Sequence, residues 1–255
     1  MSLPFSNDTV RIILVSDRFF RIPRFFVILF SESKEGIDFM IKQSKPSFRG
    51  GILLLVLFFL WTGLVLVADV QPVGPEGTTV GFAALNCRFH KRTGVHMGIY
   101  TVTDWLGLVP LFVCLLFAGL GLLQLIRRRK LRKVDGDILL LGIYYILVIG
   151  CYLAFEMYPV NYRPILIDGH LEASYPSSTT LLVLSVMPTL SFQSRRRLKH
   201  ATAVRLLTAL FSVAMVLGRL ISGVHWLTDI VGAIVLSSGL FSLYRTAVMR
   251  WDCKT

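Results

Sequence analysis

The stretch GRLISGVHWLTDIVG, Gly218–Gly232, holds an arginine, a histidine and an aspartate within eleven positions. His225 and Asp229 are four residues apart, a spacing that places both on one face of a helix. An aspartate so placed can accept one ring N–H of the histidine. That fixes the tautomer, raises basicity and leaves the other ring nitrogen free to attack. Arg219 offers a planar fork of N–H donors that matches phosphate oxygens. A plainer reading stands beside this one: an interfacial histidine–aspartate pair that satisfies only itself.

A second polar stretch, YRPILIDGHLEASYPSSTT, runs from Tyr162 to Thr180. Arg163 precedes a proline, and Ser177, Ser178 and Thr179 enter the next apolar segment. Hydroxyls and free backbone N–H groups at a helix start form an anion site. Taken singly, each part is an ordinary helix start or a snorkelling arginine. Two arginines, a hydroxyl cluster and an oriented histidine together make a kit for phosphoryl transfer.

The elements that must position these groups are apolar. Of 255 residues, 54% are hydrophobic and the mean hydropathy is +0.66. Apolar runs of about twenty residues recur, which predicts an all-α, multispanning membrane protein. Six spans are expected, at Gly50–Ala68, Asp104–Ile126, Asp137–Met157, Ser178–Gln193, Ala201–Ile221 and Leu227–Val248. Asp104 is expected to cap the start of the second span, with Trp105 as an interface anchor. The net charge is +12. Its positives gather at Arg127–Lys133, Arg195–His200, Arg245, Arg250 and Lys254, and at Lys42, Lys45 and Arg49. In a six-span chain these fall on one side, which the positive-inside rule makes cytoplasmic. Both termini then lie inside, and the two polar stretches lie together on the outer side. Charge of this kind sets topology and gives no reason to expect nucleic acid as a partner. Ionisable groups near membrane depth are costly and point to function.

Two domains are expected: an N-terminal cytoplasmic extension, 1–49, and a six-helix domain, 50–250. The extension carries a basic aromatic stretch, Arg18–Phe30, that suits a membrane surface. Met40 offers an equally good alternative start. The segment after the first span is rich in proline and glycine and reads as turns, and His90 and His96 beyond it read as polar surface. Cys87, Cys114, Cys151 and Cys253 form no CxxC, so neither a disulfide framework nor a zinc site is expected.

The order Arg-Pro, Pro-Ser, then Arg-x5-His-x3-Asp resembles the type 2 phosphatidic acid phosphatase superfamily, which shares its site with vanadium haloperoxidases. The resemblance spans roughly residues 103–244. The family pattern is Lys-x6-Arg-Pro, then Pro-Ser-Gly-His, then Ser-Arg-x5-His-x3-Asp. The resemblance implies a six-helix fold with an outward-facing site and no metal or organic cofactor. It implies that His225 forms a phosphohistidine and that Asp229 orients it. Arg163 and Arg219 would hold phosphate oxygens, and Ser177 and the Ser178 N–H would bond them.

Three positions depart from the pattern. The family lysine is Glu156, the second histidine is Thr179, and the serine before the last arginine is Gly218. Placing an anion beside phosphate costs stabilisation unless Glu156 is protonated or pairs with Arg163 or Arg219. Losing a general acid costs about 10²–10⁴-fold, least where the leaving group is itself a phosphate. The expected function is a membrane lipid phosphatase acting on a lipid phosphate or diphosphate at the outer face, with a bacterial plasma membrane as the setting. Glu156 and His170 are the candidate replacement acids. The alternative is a catalytically degenerate lipid-phosphate-binding or regulatory protein on the same scaffold. A transporter is less favoured, because the ionisable groups sit near helix ends and no repeated halves are visible. The sequence leaves the oligomeric state open.

Overall fold

The computed structural model describes residues 47–198 and 201–253. The expected cytoplasmic extension before residue 47, the basic aromatic stretch, the alternative start at Met40 and His200 lie outside the described residues.

The described chain is helical, with only isolated bridges in its loops. Its helices are α1 (Phe48–Val67), α2 (Ala83–Thr93), α3 (Met97–Leu106), α4 (Leu108–Arg128), α5 (Gly136–Met157), α6 (Ser178–Arg197), α7 (Ala201–Ile221) and α8 (Leu227–Asp252). Each expected span is present as helix. Among the described residues, five helical segments are long and apolar enough to cross a membrane, with α3 and α4 counted as one, Met97–Arg128. The protein is an integral membrane protein, and its large apolar side chains face outward, as with Phe59, Phe112 and Ile146 at 66–70% exposure.

Outside those five lie the short α2 and the 20-residue α6, and the position of α6 in the bundle explains its polarity. It packs against α4, α5, α7 and α8. Thr180, Ser185, Thr189 and Gln193 along it are all buried. Tyr144 donates to the Ser185 carbonyl at 2.9 Å, Tyr145 lies 2.7 Å from the Thr189 hydroxyl, and Gln193 donates to Tyr244 Oη at 2.6 Å. A helix that meets protein on most sides can carry polar groups that lipid would penalise.

Helix α1 lies along α8, where close approach depends on small residues. A side-chain carbon added at Gly51 would fall 2.7 Å from Leu243, and one at Gly239 would fall 2.9 Å from Leu55. At one end of the bundle, α5, α6 and α8 are tied by charge. Asp137 meets Arg196 at 3.2 Å and Arg197 at 2.8 Å, and Arg196 reaches Asp252 at 2.6 Å. The opposite end gathers the loops 158–177 and 222–226.

One expectation needs correction. Asp104 does not open the second span. The helix begins at Met97, and Asp104 lies in the last turn of α3, just before the join at Gly107. Its carboxylate serves a side-chain partner instead of a helix start.

Candidate active site

The loop between α5 and α6 folds into a short hairpin. Tyr162 bridges Ala173, Arg163 N–H donates to the Glu172 carbonyl at 3.1 Å, and Ser174 N–H donates to the Asn161 carbonyl at 2.9 Å. This lays Arg163 and Ser174 side by side beneath the start of α8. The 222–226 turn is held from the other side. His90 Nε2 lies 3.1 Å from the Gly223 carbonyl, and His96 N–H donates to the Ser222 carbonyl at 2.9 Å. Gly223 adopts φ +72°, and a Cβ there would fall 2.0 Å from the Gly94 carbonyl oxygen. A close left-handed turn of this kind requires glycine. The His90 ring therefore braces the turn, a role that nothing in its local sequence signals, whereas His96 contributes only its backbone N–H and its ring is exposed.

His225 is 2% exposed and Asp229 is fully buried. Their expected direct bond is absent, because Asp229 Oδ2 lies 3.9 Å from His225 Nδ1. Ser174 connects them. Its hydroxyl donates to Asp229 Oδ2 in a short bond and lies 3.2 Å from Nδ1, while its carbonyl also lies 3.2 Å from Nδ1. A carbonyl only accepts, so Nδ1 carries the proton and Nε2 carries the lone pair. Asp229 further accepts from the Trp226 N–H at 2.9 Å and from Asn161 Nδ2 at 3.3 Å. Three donors converge on this buried carboxylate and fix its position beside the ring. Burial pushes the His225 imidazole down to about 4, helped by the charges of Arg163 and Arg219 and opposed by Asp229. A neutral imidazole at neutral pH is what nucleophilic attack needs.

Both arginines reach the same place. The Arg163 and Arg219 guanidinium carbons lie 5.7 and 4.9 Å from the centroid of the Tyr100 ring, within cation–π range. Arg219 is 1% exposed; its Nη1 donates to Thr103 at 3.4 Å and lies 3.6 Å from Asp104. Arg163 Nη2 meets Glu172 at 3.0 Å. Arg163 Nε and Nη1, Arg219 Nε and His225 Nε2 are buried and have no hydrogen-bond partner among the described residues. Buried polar atoms are almost always paired. Donors of this number beside an imidazole lone pair are suited to an anion.

The hydroxyl cluster lies at the start of α6. Ser177 is fully buried, its N–H donates to the Asp229 carbonyl at 3.2 Å, and its hydroxyl donates to Thr180 at 3.0 Å. Ser178 and Thr179 are half-buried and line a cavity of about 420 Å³ with Asp104, Leu108, Tyr152 and Leu182. Gly218 has a neighbour in place of a side chain: a Cβ there would fall 2.6 Å from Thr103 Cγ2. The two candidate acids fare differently from expectation. Glu156 is exposed at the end of α5 and ion-pairs with neither arginine, because Glu172 and Asp104 hold those positions. His170 is exposed at the hairpin tip, bridged to Ile167. Tyr100, Thr103, Asn161, Glu172 and Ser174 belong to the site and carry no motif of their own. Among the described residues, no group of three or more histidine, cysteine, aspartate or glutamate side chains could hold a metal ion.

Comparison with known proteins agrees with the fold. The PAP2 superfamily model matches residues 154–252, a span containing Arg163, Ser177, Arg219, His225 and Asp229. The chain is similar to the crystal structure of a transmembrane PAP2-type phosphatidylglycerolphosphate phosphatase from Bacillus subtilis. The TM-score is 0.57 at 17% identity, covering 80% of this chain and 96% of that one. No curated protein matches the chain in sequence. The resemblance read from the motifs is thereby borne out, and the fold is that of a PAP2 membrane phosphatase.

Proposed function

We propose that the protein hydrolyses a lipid phosphate or diphosphate through a phosphohistidine on His225. The observation that carries this reading is the buried, unpartnered Nε2 of His225 beside two arginines whose N–H groups also lack partners. Nε2 attacks the terminal phosphorus, and the P–O bond to the leaving group breaks: a lipid diphosphate expels the lipid monophosphate as a stable anion, and a lipid monophosphate expels an alkoxide that takes a proton from water. Arg163 and Arg219 neutralise the charge that develops on the equatorial oxygens, with the first-turn N–H groups of α6 beside them. Water then attacks the phosphohistidine, frees inorganic phosphate and restores neutral His225. Asp229, acting through Ser174, stabilises the positive charge that the ring acquires.

The site lies at the end of the bundle opposite the arginine clusters that follow α4 and α6. By the positive-inside rule it faces out of the cytoplasm, with the C-terminal end of α8 inside. The setting we favour is a bacterial plasma membrane. The 420 Å³ cavity beside Thr179 has four leucines, Val148 and Ile149 in its lining and suits the lipid chain next to the phosphate.

Thr179 stands where a proton donor is expected, and a threonine hydroxyl is too weak an acid for that task. The favoured substrate therefore has a leaving group that needs little protonation, as a lipid diphosphate has. We expect purified protein to release phosphate from a lipid diphosphate about 10²-fold or more faster than from the matching monophosphate, in line with the loss of a general acid. Equal rates on the two would mean that another residue donates the proton, and Glu156→Gln would then be the next variant. No release from either would favour the binding or regulatory reading, which the same Thr179 position supports.

Ser174 is the positioning residue that joins Asp229 to His225. A hydrogen bond to a charged group contributes about 1.5–3 kcal/mol. Felt only at the transition state, that is about 10–100-fold in rate. Ser174→Ala should lower kcat by this factor and leave KM nearly unchanged. A change confined to KM would place Ser174 in substrate binding instead.

A further inference from the structure

We infer that Glu172 is an internal counter-anion, bonded to Arg163 until phosphate displaces it, and that it sets how tightly the site holds phosphate. This rests on the reading of Arg163 as a phosphate ligand. Glu172 stands opposite Arg163 in the hairpin, fixed there by the Arg163 N–H bond to its carbonyl at 3.1 Å. Its carboxylate takes Nη2 alone, at 3.0 Å. Nη2 is the nitrogen common to both two-point edges of the guanidinium, and Nε and Nη1 on those edges have no partner. A phosphate grasped at two points must share or displace Glu172.

The exposures of the two partners say which one moves. The Arg163 side chain is 9% exposed and that of Glu172 is 39%. The arginine is held in place over Tyr100, whereas the carboxylate can turn into water and be rehydrated at small cost. A phosphate dianion brings more oxygens and more charge than one carboxylate, and it gains Arg219 as well, so it wins the exchange. Phosphate freed by hydrolysis has lost the contacts of the lipid chain. Glu172 then competes with it more effectively and favours its departure. The carboxylate acts as a specificity element: it weakens free phosphate and leaves substrates whose chain adds binding.

The inference is tested with the whole protein in detergent and inorganic phosphate as the probe, by calorimetric titration. Glu172→Gln keeps the shape and an acceptor oxygen but removes the charge. Phosphate should bind it about 5–30-fold more tightly than the parent, the range expected for removing one screened charge near the site. The gain should vanish when Arg163→Gln is added. Equal or weaker binding in Glu172→Gln overturns the inference, because a residue that merely holds Arg163 in place cannot tighten binding when it is removed. A gain that survives Arg163→Gln overturns it too. Absence of phosphate binding in both proteins also overturns it, and turnover in His225→Ala still decides the hydrolase reading separately.

Discussion

Replacing His225 with alanine removes phosphate release from lipid substrates, by at least about 10³-fold, because the atom that takes the phosphoryl group is gone. The fold should survive, since the ring's hydrogen bonds run only to Ser174, whose hydroxyl keeps its bond to Asp229. The measurement is phosphate release by protein free of host phosphatases, with thermal unfolding as a check on folding. Undiminished turnover would sink the phosphohistidine mechanism. The parent protein carries a companion signature. With the imidazole pushed down to about 4, the neutral form persists well below the usual histidine range of about 6.5. Activity therefore survives mild acid and is lost as pH falls through about 4, read in kcat/KM after the substrate's own ionisation is allowed for. A histidine-dependent acid limb near 6.5 would contradict the buried environment of the ring.

Arg219→Lys is expected to lower both kcat and kcat/KM by about 10²–10³-fold, the range for losing one donor aimed at developing charge. The charge is kept in this variant, so the loss reports the fork. Arg219 is wedged over Tyr100 and against Thr103, with its Nε unpaired and buried. A lysine ammonium has no planar edge to present two parallel N–H groups from that slot. Steady-state kinetics on a lipid diphosphate gives the answer, and a loss below about threefold would remove Arg219 from the transition-state contacts. Asp104, left without its arginine, is 58% exposed in its side chain and can be hydrated. Stability should accordingly change less than rate.

The amino-acid sequence by itself determined the class, the helices and four groups that the structure brings together at one end of the bundle. Hydropathy acts locally, so runs of about twenty apolar residues mark spans wherever they fall. His225 and Asp229 share a short segment, and motif spacing was enough to find them with Arg219 and Arg163. Local signals also misled. The spacing of His225 and Asp229 suggested a direct bond, whereas the tertiary structure inserts Ser174, which is 51 residues from His225 in the chain. Asp104 looked like a cap because it is an acid at the edge of an apolar run. Its partner, Arg219, arrives from α7. Glu156 stood at a family position and drew attention there, yet the carboxylate on Arg163 is Glu172, placed by the register of a hairpin. The same cause lies behind each difference. Periodicity and spacing report what a residue meets within a turn or two of its own backbone. Contacts such as Thr103 against Gly218, or Tyr100 beneath two arginines, depend on which helices pack together and at what height. Only burial of the whole bundle decides that, and it leaves no periodic trace in the chain.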